Sequence, residues 1–408
     1  MKIIDTETAI IGGGASGLAA AIAASRYGCG NVTIFEKMQR VGKKILSTGN
    51  GRCNLTNRHI TPADYTGDTE LLSYISPDID NAEDFFASLG LICRADDNGR
   101  VYPYSNAATS VLDALRFAAD SSGIRTVCDI TVSEITKTKH GFIITDGETQ
   151  VKAKRVIIAA GGKAAPSRGS SGEGYELCRS LGHSVTRLFP ALAPVRTDIE
   201  LVKSLKGLRV AADATLISGG RVIDRQSGEV QFTDGALSGI CIFNLSAKAA
   251  EYINNGEISL DTAPTLGKDE LYGLIKSTAA IRASLPCEEL LTGIYHKRVG
   301  QAMLKKAGIP FSVTCGEISD KDISVLCNLA KDSRYPIRNV SDWSLAQITC
   351  GGIPASEVSD KLESLKASGL YLCGEILNIQ GKCGGYNLDW AWKSGYTAGM
   401  NASLSLSE

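Results

Sequence analysis

The sequence is short of several features that would settle its class at once. It has no surplus of either charge: 43 lysines and arginines stand against 44 aspartates and glutamates, a formal net charge of −1. A chain that grips nucleic acid along a basic face shows an excess of cations, so a general nucleic-acid binder is not expected. Balanced charge with 43% hydrophobic residues also excludes a disordered chain. No run of about 18 strongly apolar residues occurs, so no membrane span is expected. Residues 9–25 come nearest, but Gly12, Gly13 and Gly14 interrupt them where the apolar core of a signal peptide would lie. Histidine is scarce, and His59, His140, His183 and His296 are scattered, so no histidine-based metal site is expected. The 12 cysteines are never closer than ten residues apart, which removes C-x-x-C redox pairs and zinc-ribbon spacing. They read as buried, reduced thiols of a cytoplasmic protein.

Glycine is the opposite case. There are 43 among 408 residues, with no G-X-Y period, against a usual share of about 7%. They must gather where the backbone closely approaches something. The length predicts two or three domains, at about 100–200 residues each.

The first glycine cluster follows Thr8-Ala9-Ile10-Ile11, a short apolar run that reads as a buried parallel strand. Gly12-Gly13-Gly14-Ala15-Ser16-Gly17 then opens a helical pattern that ends at Gly28. Val32–Phe35 reads as a second strand, with Glu36 at its end. This is the strand–GxGxxG–helix–strand–acid unit of a dinucleotide site. Gly12 permits the tight turn, Gly14 lets a pyrophosphate reach the backbone, and Gly17 lets the helix pack on the sheet. The helix N-terminus at Ala15 and Ser16 offers N–H groups and partial positive charge to phosphate. Glu36 is placed to accept ribose hydroxyls, which favours FAD or NAD over NADP. The next stretch, KMQRVGKKILSTGNGRCNLTN (Lys37–Asn57), interleaves Gly42, Gly49 and Gly51 with Lys43, Lys44, Thr48, Asn50, Arg52 and Asn54. It reads as an extended polar loop suited to a long ligand, with cations for phosphate and amides for a ring.

VGKKILSTGNGRCNLTN resembles the second fingerprint of the aminoacetone-oxidase-like bacterial flavoproteins, a family that includes bile-acid reductases of the BaiN type. The wider resemblance is to the glutathione-reductase-like FAD fold, from Thr8 to about Gly399. It implies FAD as cofactor, and places Cys53 within the family's GRCN element.

Ala108–Ser122 is amphipathic and read as a helix, and Val127–Val132 as a strand. The resemblance brings that strand's backbone to the adenine, with Ile130 a candidate. Thr136–Thr145 and Gln150–Val156 suggest a small β-meander. Arg155–Gly162 reads as a buried strand ending in glycine, and resembles the element, with Ala160 and Gly161, that closes the FAD domain. Between Gly169 and His183 a glycine-rich loop leads into a helix, and His183 reads as a helix-end residue. Residues 189–262 show short alternating runs expected of an antiparallel sheet or small barrel. Residues 267–308 and 320–329 look helical. Near the C-terminus, Gly369–Glu375 reads as a strand ending in Gly374-Glu375, and Gly384-Gly385-Tyr386-Asn387 leads directly into a helix. A helix start aimed at a flavin edge would stabilise negative charge on it. The chain departs from the family pattern at Asp234, Asn378 and Cys383, where His, Asp and Thr are common.

The expected architecture is α/β. A Rossmann-like FAD-binding domain, with a parallel sheet and helices, spans 1–188 and 346–408. A β-rich, barrel-like domain (189–265 and 309–345) and a helical insertion (266–308) interrupt it. The resemblance implies an FAD-dependent oxidoreductase that reduces an activated C=C bond, such as a 3-oxo-Δ4 bile-acid or steroid-like enone. No second GxGxxG unit occurs, so NADH or NADPH either binds transiently at the flavin face as electron donor or is not used. Tyr386 is the candidate proton donor. An O2-dependent amine oxidase and a sensor or binding flavoprotein remain open. The partners expected are a small-molecule substrate, no nucleic acid and no membrane, with oligomeric state open.

Overall fold

The apolar run at Thr8–Ile11 is the buried end of a longer strand, β1 (Lys2–Ile11). It pairs in parallel with β2 (Val32–Phe35) on one side and with the strand Thr149–Ile158 on the other. Ala9, Ile10, Ile34, Ile157 and Ile158 are fully covered, as expected of a parallel strand buried on both faces. Between β1 and β2 lies α1 (Ala15–Arg26), rich in alanine. The small residues serve a close helix contact with the C-terminal helix Tyr386–Leu404. A Cβ at Gly395 would lie 2.2 Å from the Ser16 carbonyl oxygen, and one at Gly399 would lie 2.1 Å from that of Ala20.

This is a computed structural model describing residues 2–407. It divides into two units, one running to Pro190 and resuming at Trp343, the other Ala191–Asp342. The first unit adds α2 (Ala108–Ser121), β3 (Arg125–Val127), β4 (Glu134–Thr138), β5 (Gly141–Thr145), β6 (the strand Thr149–Ile158), α3 (Glu173–Ser180), β7 (Leu370–Leu372) and α4 (the helix Tyr386–Leu404). Its sheet runs β3-β2-β1-β6-β5-β4. The free edge of β6 is shared: Gln150–Ala153 pair antiparallel with β5, and Val156–Ile158 pair parallel with β7.

The expected strand at 127–132 is corrected. Pairing with β2 stops at Val127, and Asp129 turns into the left-handed region at φ 57°. Ile130 then donates its N–H to the Glu36 carbonyl (3.1 Å) without sheet geometry.

The second unit holds a seven-stranded antiparallel sheet in the order Ser333–Pro336, Gly256–Asp261, Arg209–Ser218, Arg221–Phe232, Ala236–Ser238, Val195–Arg196, Asn339–Val340. Its two end strands are successive parts of one segment: Ser333–Pro336 pair with Gly256–Asp261, the Ile337 N–H donates to the Gly256 carbonyl (2.9 Å), the Arg338 N–H donates to the Arg196 carbonyl (2.9 Å), and Asn339–Val340 pair with Val195–Arg196, so the sheet closes on itself in the expected barrel-like way. Helices Lys268–Ile281, Lys297–Ala307 and Asp320–Lys331 belong to the same unit as this sheet, and a further helix, Ile240–Ala249, lies inside the stretch read as strands. Among the described residues, no helix is long and apolar enough to cross a membrane.

Candidate functional site

Three glycines of the first turn serve three different ends. Gly12 has φ +104°, and a Cβ there would lie 2.5 Å from the Ala159 carbonyl oxygen, so the turn is pressed against the end of β6. At Gly17 a Cβ would lie 1.9 Å from the Gly12 carbonyl oxygen, which fixes how closely α1 starts against β1. At Gly14 a Cβ would meet nothing within 4 Å. Gly14 is the N-cap of α1, with no side-chain cap and no acid in the first turn. The open space therefore faces unoccupied N–H groups and the positive end of the helix dipole.

Glu36 closes the other side of this turn. Its Oε2 accepts from the Gly13 N–H (2.8 Å) and its Oε1 from the Met38 N–H (2.8 Å). Each oxygen keeps a further lone pair for a hydroxyl donor. Gly42 donates to the Gly13 carbonyl (2.8 Å), folding the polar loop back over the turn. Lys37 reaches Ser171 (2.8 Å) and Glu173 (2.7 Å), tying the loop to the start of α3. Ala160 and Gly161 follow β6 beside this contact, with Gly161 at φ 71°.

The loop beyond is a broken 3-10 turn over Ile45–Gly51. Gly49 and Asn50 (both φ 55°), Gly51 (φ 82°) and Cys53 (φ 58°) are left-handed, so the chain coils rather than continuing a helix. Thr48 Oγ1 donates to the Ile45 carbonyl (2.7 Å). Arg52 lies over the Tyr102 ring, 4.8 Å from its centre.

The C-terminal segments close on this loop. Lys44 pairs with Glu375 (2.9 Å), whose Oε1 accepts from the Thr349 N–H (2.7 Å). Gly374 sits against α1, where a Cβ would lie 2.5 Å from Ser16 Oγ. Gly384 accepts from Asn57 Nδ2 (3.1 Å). Gly385, the N-cap of α4 at φ +105°, leaves no room for a Cβ, which would lie 2.5 Å from the Thr56 carbonyl oxygen and 3.0 Å from Asn54 Oδ1. Gly12–Gly17, Glu36–Asn57, Ile130, Ala160–Gly161 and Gly374–Asn387 are thus drawn together within the first unit.

Not every side chain faces outward from this assembly. The Asn387 amide is engaged by its own loop, with Nδ2 donating to the Gly381 carbonyl (2.7 Å) and Oδ1 accepting from the Gly381 N–H (2.9 Å). Cys53 is fully covered, and burial pushes its thiol up to about 12. Burial raises the Cys383 thiol as well. Asp234 lies in the second unit, exposed and paired with Lys206 (2.9 Å). His183 follows α3 and is buried, with Nδ1 on Glu357 (2.8 Å) and Nε2 on Ser364 Oγ (2.7 Å), a staple within the fold.

Tyr386 opens α4 and is half-buried, packed edge-on against Tyr65 with ring centres 6.1 Å apart. Burial, then the Asp64 charge, raises its phenol above the ordinary value, so it stays protonated. No hydrogen bond to its Oη occurs among the described residues. Asp389 was not singled out from sequence. It is buried in the first turn of α4, accepting from Thr56 Oγ1 (2.6 Å) and pairing with Lys393 (3.1 Å). Burial raises its carboxyl against the pull of Lys393. Its only sequence signal is an acid set between apolar residues in LDWAW.

Two observations test the fit of an FAD. The space above Gly14 is open where a pyrophosphate would approach. Asn54, 9% exposed, holds Oδ1 buried without a partner beside the start of α4. A buried amide oxygen of this kind needs a donor, and an imide N–H would supply one. The residues fit the group.

The HI0933-like protein Rossmann domain matches residues 6–401. A 3-dehydro-bile acid delta(4,6)-reductase of Clostridium scindens is 36% identical over 402 residues, covering 97% of this chain and 98% of that protein. A ribosomal RNA dihydrouridine synthase of Haemophilus influenzae is 25% identical, with 98% of both chains covered. Among solved structures, a 3-ketosteroid delta1-dehydrogenase of Sterolibacterium denitrificans superposes with a TM-score of 0.51 at 13% identity, covering 98% of this chain and all of that one, a likeness of fold.

Proposed function

The chain belongs to the HI0933-like family of Rossmann-domain proteins and is a flavin-dependent oxidoreductase, and on that footing we propose that it reduces a carbon–carbon double bond conjugated to a carbonyl, driven by NADH or NADPH. The observation that carries the reading is the end-to-end match to a reductase whose name specifies 3-dehydro bile acids, combined with the open cradle at Gly14. A 3-oxo-Δ4 steroid-like enone is the substrate class.

The residues of the cradle would hold FAD, which when bound would supply the hydride. The chain supplies the rest. Gly12, Gly14, Ala15, Ser16 and Gly17 present backbone N–H groups and the positive helix end to the pyrophosphate. Glu36 takes the adenosine ribose hydroxyls, and Ile130 lies at its backbone. Lys37, Gly42, Lys44 and the coil Thr48–Asn54, together with Ala160, Gly161, Gly374 and Glu375, would hold the rest of the ligand. The N-terminus of α4 at Gly384-Gly385 stabilises negative charge on a ring edge placed against it. Tyr386, protonated, delivers its proton to the substrate α-carbon as hydride reaches the β-carbon.

Anaerobic mixing of the yellow protein tests this. Bleaching by NADH or NADPH, followed by return of colour on adding a 3-oxo-Δ4 steroid, supports the reading. Bleaching by amines, with peroxide released in air, would replace it with an amine oxidase. Failure of either to bleach would favour a sensor or binding role.

A second reading comes from the Haemophilus influenzae relative, named for dihydrouridine in ribosomal RNA. The uracil C5=C6 bond is also conjugated to a carbonyl, so hydride at C6 and a proton at C5 is the same reaction on another substrate.

A further inference from the structure

The coil Gly49–Asn54 runs into a three-stranded antiparallel sheet ordered Thr56–Asn57, Arg100–Pro103, Cys93–Ala95. Arg94 stands directly opposite Tyr102 in its register, so both side chains occupy one face. Arg52 covers Tyr102 at 4.8 Å from the ring centre, and Arg94 covers Tyr104 at 5.5 Å. Tyr104 is 67% exposed. The face therefore alternates guanidinium and phenol, and the Gly49 backbone meets it at the Tyr102 ring.

Its charge is hidden in the chain's total. Residues 37–63 contain Lys37, Arg40, Lys43, Lys44, Arg52 and Arg58 and no acid. Lys37, Lys44 and Arg58 are paired with Glu173, Glu375 and Glu83. Among the described residues, no ion pair engages Arg40, Lys43, Arg52 or Arg94. Asp96 is engaged by Arg100, and Asp97 lies in the hairpin turn, at the opposite end from Tyr104.

Uncompensated cations beside the exposed Tyr104 ring match one ligand chemistry. Phosphates pair with the cations, and unstacked bases lie on the rings and guanidinium planes. We propose that this face docks a single-stranded RNA segment and leads a uridine from it to the coil Gly49–Asn54. The proposal rests on the second reading above, with uracil as substrate.

The test uses the FAD-loaded protein and a fluorescent RNA hairpin with a uridine-bearing loop, followed by anisotropy across a salt series. Tyr104→Ala is expected to weaken binding at least about fivefold, and Arg94→Ala to lower the salt slope by about one. Both side chains are exposed, so melting temperature and flavin content should stay as in the wild type. Equal binding by wild type and both variants overturns the docking face, as does equal competition by a fully paired duplex. Mass spectrometry of the same RNA separates the two claims. Dihydrouridine formed at the wild-type rate by both variants removes the face and leaves the uridine reading standing. Binding that depends on Tyr104 without any dihydrouridine removes the reading and keeps the face.

Discussion

Three helices of the first unit begin at a glycine with no side-chain cap, and the first and last of them begin in opposite surroundings. Above Gly14, at the start of α1, there is open space, whereas Gly385, at the start of α4, is held at φ +105° against the Thr56 carbonyl. The same residue type thus answers two demands. At α1 glycine keeps the helix end clear for something that is not protein. At α4 glycine lets the helix end press into the chain's own loop. In the proposed function the first end holds the cofactor and the second presents Tyr386.

Substitutions can break this contrast. The largest effect is expected at Tyr386. Tyr386→Phe should leave reduction by NADH or NADPH unchanged and slow the enone-dependent return of colour about 10²–10⁴-fold, the usual contribution of a positioned acid. Stopped-flow absorbance of the two half-reactions checks it, and an equal loss in both would place Tyr386 in binding instead. Gly385→Ala should destabilise the fold by about 1–3 kcal/mol from its backbone conformation alone, before the clash with Thr56. Chemical denaturation measures this, and an unchanged midpoint would mean the α4 end is as open as the α1 end.

Asn54→Leu sharpens the contrast from the ligand side. With FAD removed, the variant should be more stable by about 1–3 kcal/mol, because a buried unpaired oxygen is gone. It should also bind FAD more weakly. Calorimetry on the apo form and a flavin titration would show both signs, and tighter FAD binding would contradict the assignment.

The smallest effect leaves both helix ends untouched. Burial holds His183 below its ordinary 6.5. Below that pH the unfolded chain takes up a proton that the folded chain refuses, so stability falls as pH drops through 6.5 toward the folded value. Glu357, lowered mainly through its bonds to Ser184 and His183, adds to the loss below its ordinary 4.5. The melting temperature should be lower at about pH 5.5 than at about pH 7.5. His183→Gln should flatten that difference, and an unchanged slope would remove His183 from the account.

The front of the chain was legible because each of its parts carries its own signal. The apolar run, the spaced glycines, the alanine-rich helix and Glu36 define α1 and β2 without reference to distant residues. The strand expected at 127–132 failed because the chain there answers to a neighbour: Asp129 turns so that Ile130 can meet the Glu36 carbonyl. Asn387 lay in a recognisable motif, yet its amide serves Gly381, a contact spacing does not reveal. The Arg–Tyr face was invisible for a related reason. Residues 52, 94, 102 and 104 become neighbours only through strand register. A net charge of −1 also concealed a stretch of six cations without an acid.

The central claim is that distant glycine-rich segments form one FAD cradle whose approach is kept open at Gly14. Its most direct test is Gly14→Val, read by bound FAD per chain together with the melting temperature of the flavin-free protein. The account predicts a colourless protein that melts as the flavin-free wild type does, since a Cβ at this position meets no protein atom within 4 Å. A fully yellow Gly14→Val protein would contradict it.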